Sequence, residues 1–116
     1  MTSLTGNPRS LPVLKASASL DALALIDASP YNNNDGSPGW TSTNLFMRQI
    51  RNLIIDGTAK APTQGFQGIH WPASQATTIQ NVKIRMNQAA NSVHAGIFVE
   101  NGTSLTKILL SYTHCN

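Results

Sequence analysis

The segments "QIRNLIID" (49–56) and "TIQNVKIR" (78–85) are two versions of one phrase, and this repetition restricts the possible folds more than any other feature of the chain. They align as Ile50/Ile79, Arg51/Gln80, Asn52/Asn81, Leu53/Val82 and Ile55/Ile84, a step of 29 residues. "GIHW" and "GIFV" align as Gly68/Gly96 and Ile69/Ile97, a step of 28. Two unrelated motifs thus recur in one order at nearly one spacing, and "SLTKILLSY" follows the second glycine motif much as "TTIQNVKIR" follows the first. A period in the twenties with short strands and variable loops predicts a parallel β-solenoid. One coil cannot bury its own inward face, so neighbouring coils stack in register and share an axial core. Leucine-rich repeats are the nearest rival, but their leucine and asparagine spacing is absent. The recurring Asn52 and Asn81 fit either a hydrogen-bonded ladder along the stack or two turn residues that coincide.

Strands are expected at 12–17, 23–28, 52–58, 68–71, 78–86, 96–100 and 105–112. Each is short, rich in Ile, Leu, Val or Thr, and bounded by Gly, Pro, Asn or Ser. Alternation places Val82, Ile84 and Met86 on one face and Lys83 and Arg85 on the other. The best helical stretch, "TSTNLFMRQIRNLI", has Phe46, Ile50 and Leu53 at helical spacing, but β-branched residues crowd its end and strand is the better reading.

The 116 residues suffice for one modest core. Only 11% are charged, so neutral hydrogen-bonding side chains cover the surface, as suits a carbohydrate-facing extracellular protein. The net charge of +3 is spread without a basic run, which argues against nucleic acid as a partner. No stretch approaches the ~18 apolar residues of a membrane span. "MTSLTGNPRSLPVLKAS" lacks the basic start and apolar run of a secretory signal. The single cysteine, Cys115, excludes an internal disulfide. Oligomeric state is left open.

The phrases "PVLKASASLDALALIDASPYNNNDG", "NLFMRQIRNLIIDGT", "GIHWPASQATTIQNVKIRM" and "GIFVENGTS" resemble, in order and spacing, the first β-helix of the fungal exo-β-1,3-glucanases, which carry a pectate-lyase-superfamily domain. The likeness runs over 6–104; residues 105–116 form an atypical end, with Thr103, Ser104 and Leu105 where the family continues in glycines. It implies an all-β, right-handed parallel β-helix of about four coils, a partial domain over 1–116. It also implies a secreted parent enzyme that acts on β-1,3-glucan without a cofactor. Family members are long and carry two β-helices, so the chain reads as an incomplete one.

Glycoside hydrolysis requires two carboxyl groups roughly 5 to 9.5 Å apart. The carboxylates here are Asp21, Asp27, Asp35, Asp56 and Glu100. The family's catalytic acid lies in the later β-helix and no position here matches it, so each is expected to cap a turn or end a strand in solvent. Alternation after Ile69 sends Trp71 inward to the core and His70 outward, as an exposed strand residue without a partner. No histidine pair or cysteine has zinc-ligand spacing, and Asn34-Asp35-Gly36 lacks the further acidic ligands of a calcium loop. Tyr31 and Trp40 flank the loop "NNNDGSPG" and are candidate sugar-stacking residues, with folding back onto the wall as the alternative. Asn101-Gly102-Thr103 is a glycosylation acceptor if the parent is secreted.

The expectation is therefore a segment of a glucan-degrading enzyme that is inactive alone. One alternative is a carbohydrate-binding module using Tyr31, Trp40 and His70. Another is a polysaccharide lyase-like protein, which lacks the expected acidic calcium cluster.

Overall fold

The computed structural model describes residues 2–32, 34–37, 39, 47–72 and 76–100, together with the backbone of 106–110. Among these every regular element is a strand: β1 (Thr2–Thr5), β2 (Val13–Lys15), β3 (Ala24–Asp27), β4 (Arg48–Asp56), β5 (Gln67–Trp71), β6 (Thr77–Arg85), β7 (Ala95–Val99) and β8 (Thr106–Leu110). Among the described residues no helix is long and apolar enough to cross a membrane.

The strands form two sheets with every pairing parallel. One runs β1-β4-β6-β8, with β2 also beside β4; the other runs β3-β5-β7. From β2 onward the chain visits the two sheets alternately, so each parallel crossover is itself a strand of the opposite sheet. The 29-residue step is the register of β4 on β6, with Ile50 beside Ile79 and Ile55 beside Ile84. The 28-residue step is that of β5 on β7, with Ile69 beside Ile97.

Stacking makes apolar columns. Leu4, Ile50 and Ile79 share one rung position, Leu14, Ile55 and Ile84 another, and Ile26, Ile69 and Ile97 a third. The core enclosed by the sheets is Ile50, Leu53, Ile55, Ile69, Trp71, Ile79 and Val82. Full burial of each such side chain is worth roughly 1.5–3 kcal/mol. Trp71 is inward as expected, and its indole N–H donates to the Thr77 hydroxyl at 3.3 Å.

Inward apolar residues fall at 50, 53 and 55 in β4, all buried, and at 79, 82 and 84 in β6, the first two buried and Ile84 partly so, a gap of three followed by one of two. The gap of three arises at Asn52 and Asn81, whose φ values of 59° and 52° bend each strand through the left-handed region and reset which side chains face inward. Asparagine tolerates this backbone better than most residues. The same side chains form a ladder: Asn81 Nδ2 donates to Asn52 Oδ1 at 2.9 Å, and Asn52 Nδ2 donates to the Gly6 carbonyl at 3.3 Å. The ladder reading of the repeated asparagine holds, and the recurrence is not a coincidence.

Three features were not visible in the sequence. β1 reads as polar and was not anticipated. The first repeat is longer than the later ones, since Ile26 pairs with Ile69 and Leu14 with Ile55. Met47 and Ala76, one residue before β4 and β6, also have positive φ.

Candidate functional site

The outward face of the three-stranded sheet carries one rung position occupied in turn by Asp27, His70 and Phe98. Alternation within β5 sends His70 to this face, opposite Ile69 and Trp71, as expected. Its predicted exposure is wrong, because the ring is 0% exposed. Tyr31, from the segment after β3, and Glu100, next after β7, close over it.

The His70 ring is held on every side. Nδ1 meets Asp27 Oδ1 at 2.9 Å and Nε2 meets Glu100 Oε2 at 3.1 Å. The Tyr31 hydroxyl donates to the same Glu100 oxygen at 2.5 Å. Phe98 stacks on the imidazole with centroids 5.5 Å apart, and Tyr31 lies tilted against it at 5.2 Å. A neutral imidazole donates from one nitrogen only. Both carboxylate contacts are therefore satisfied together only by an imidazolium or by a protonated carboxyl. Hydrogen bonding from Tyr31, aided by His70, holds the Glu100 carboxyl below its usual range against the opposing effect of partial burial. The Glu100 bond, then burial and the nearby carboxylates, push the Tyr31 phenol up to about 12.

A glycosidase acid and base stand roughly 5 to 9.5 Å apart, and here Asp27 and Glu100 contact the two nitrogens of one imidazole. The space between them, where such a pair accommodates water and substrate, is filled by the imidazole itself. Asp27 also accepts from the Ser29 amide at 3.0 Å, the turn-capping role expected of it. The cluster is a cross-brace through three stacked strands rather than an open acid and base. Its side chains surround the ring instead of converging on a point, and no metal-binding group exists among the described residues.

Of the predicted ligand residues, Tyr31 and His70 are brought together, while Trp40 lies outside the described residues, as do Asn101 and Cys115. Phe98, 37% exposed and stacked on His70, was missed. The alignment of "GIHW" with "GIFV" already placed it opposite His70. Asp56 and Asp35 cap turns as expected, accepting from the backbone of Thr58 and Ser37. Bonding to Thr58, its hydroxyl above all, holds the Asp56 carboxyl low.

This alternating parallel architecture with its asparagine ladder is of the pectate-lyase type, and the family model described as rhamnogalacturonase A/epimerase, pectate lyase-like, matches residues 1–115. The chain belongs to that family. Its relatives include fungal glucanases. It is 82% identical over 103 residues to a glucan 1,3-beta-glucosidase of Cochliobolus carbonum, covering 89% of this chain and 13% of that protein. It is 39% identical over 104 residues to a probable glucan endo-1,3-beta-glucosidase of Arthroderma benhamiae, covering 88% and 12%. A protein of Penicillium expansum named as a non-secreted LysM effector is 33% identical over 102 residues, covering 88% and 8%. The chain thus spans about one eighth of the length of the two glucanases.

Proposed function

We propose that this chain is a wall segment of a fungal β-1,3-glucan-degrading enzyme, and that it contributes fold and ligand contact but not the chemical step. The supporting observation is the His70 brace: Asp27 and Glu100 both contact one buried imidazole, which fills the space between them instead of leaving an acid and a base facing a common opening. The proposed fold is a right-handed β-helix of about four coils, a partial domain of a longer parent, with 105–116 as its atypical end. Tyr31 and the exposed edge of Phe98 are the proposed glucan contacts. His70, wholly enclosed, acts behind them as a positioning residue, and Trp40, outside the described residues, is a further proposed contact on its sequence alone. The parent's extracellular destination, and glycosylation at Asn101 with it, belong to this proposal. A similar segment occurs in a relative named as non-secreted, so the destination is assigned to the parent rather than to these residues.

Incubating the purified chain with laminarin tests the reading. No glucose or oligosaccharide release is expected. Release that disappears in Asp27→Asn or Glu100→Gln would overturn it. Retention on insoluble β-1,3-glucan that falls at least fivefold in a Tyr31→Ala, Phe98→Ala double variant is the expected sign of the contact role.

A further inference from the structure

The loops that leave the larger sheet also stack, with the Gln67 amide donating to the Leu23 carbonyl at 3.2 Å. Residues 16–23 follow β2, and residues 57–66 follow β4. Between them lies a cavity of about 370 Å³ lined by Ser19, Asp21, Lys60, Gln64 and small or backbone groups. That volume is within the roughly 300–1,000 Å³ of small-molecule sites.

Lys60 is the unusual member. It is 6% exposed, yet its ammonium makes one hydrogen bond, to the Leu20 carbonyl at 2.6 Å, and has no carboxylate partner among the described residues. Buried charges are ordinarily paired. The nearest candidate in sequence on the facing loop, Asp21, lines the same cavity without an ion pair to Lys60. A lysine ammonium has three protons to give, and a carboxylate only accepts. A hydroxyl group does both, since it can accept from the ammonium and donate to the carboxylate. Two adjacent hydroxyls on one rigid ring bridge such a pair better than an anion, which Asp21 repels, or an apolar group, which leaves both charges unsatisfied.

We propose that the Lys60–Asp21 cavity is a polyol site that takes one pyranose unit through a vicinal diol, with Gln64 and Ser19 as further polar contacts. Its wall carries no aromatic ring, so recognition rests on charged hydrogen bonds rather than stacking, and discrimination among sugars follows hydroxyl stereochemistry. The choice of a glucosyl unit as occupant rests on the glucan reading above; the diol chemistry does not.

Hydrogen-exchange mass spectrometry of the full chain, with and without laminaritriose, is the test. Peptides covering 16–23 and 57–66 are expected to gain protection, at least fivefold in local exchange rate, while peptides covering β7 change little. Lys60→Met and Asp21→Asn are each expected to remove the gain; Asp21 is exposed, so its variant keeps the fold. Loops that stay unprotected, protection that survives both substitutions, or protection by inorganic phosphate in place of the sugar would each overturn the proposal. The two readings fail separately. Loss of retention on insoluble β-1,3-glucan with the loops still protected by trisaccharide, or by mannose, counts against the glucan reading alone. Retention with unprotected loops counts against this one alone.

Discussion

Asn81 performs two tasks that one substitution removes together. It occupies a left-handed backbone position, and it donates to Asn52 across the stack. Asn81→Ala strains the bend and orphans a partly buried carbonyl oxygen, for an expected loss of about 1–3 kcal/mol in denaturant unfolding. Asn81→Gly keeps the bend and loses only the ladder, so it is expected to cost less; an equal or greater loss would show that the bend is not strained. At His70 the readable quantity is acid sensitivity. Glu100 sits below its ordinary value near 4.5, so its contribution is present above that pH and fades as pH falls through the lowered value. Tyr31 sits near 12 instead of 10, so its contribution is complete below pH 10 and fades as pH rises through 12. Thermal midpoints between pH 7 and pH 3 are expected to fall more steeply in the native chain than in Glu100→Gln, and parallel curves would contradict the brace. The outward direction of His70 was legible from alternation, but its enclosure was not. Asp27 reaches the same rung only because the first repeat is lengthened by the loop that carries Tyr31, and a fixed period cannot register that insertion.

At the scale of the element, the two glycine motifs look equivalent in sequence and are not equivalent in space. A Cβ on Gly68 would lie 2.7 Å from the Gly96 carbonyl oxygen and 3.0 Å from an Ile84 methyl. On Gly96 it would meet Ile84 and the flexible end of Met86 only at 3.8–4.0 Å. Gly68→Ala is therefore expected to destabilise by about 1–3 kcal/mol and Gly96→Ala by under 1 kcal/mol; a reversed order in urea melts would refute the packing. The repeat made the strands, their parallel stacking and the inward isoleucines legible, because each rests on side-chain period. The division of the first rung into β1 and β2 escaped notice, since TSLT, with one apolar residue among four, carries little strand signal until β4 supplies a partner.

For the whole molecule, several exposed apolar side chains stand on the first and last strands of the two sheets. Leu4 and Val13 on the first strands are 43% and 49% exposed, and Phe98 and Val99 on β7 are 37% and 41%. Among the described residues, β1 and β2 at one end and β7 and β8 at the other each pair on one side only, and an open strand edge is the usual template for association. The isolated chain is expected to self-associate as concentration rises in sedimentation velocity, and Val99→Lys is expected to reduce this at least severalfold. A monomer that persists at every concentration would contradict the prediction and would weigh against the proposal of a partial domain.

The asparagine bend is passed in three different ways along the stack. The first rung leaves the wall for residues 6–12 and rejoins it, β4 and β6 each turn through a single left-handed residue, and β8 passes from Leu109 to Leu110 where β6 needs Gln80 to Val82. A joint that accepts an excursion, a pivot or a deletion without shifting the strands on either side is a natural grafting point. Foreign peptide placed between Gln80 and Val82 would emerge from the corner of the tube, leaving its lumen and both walls as they were.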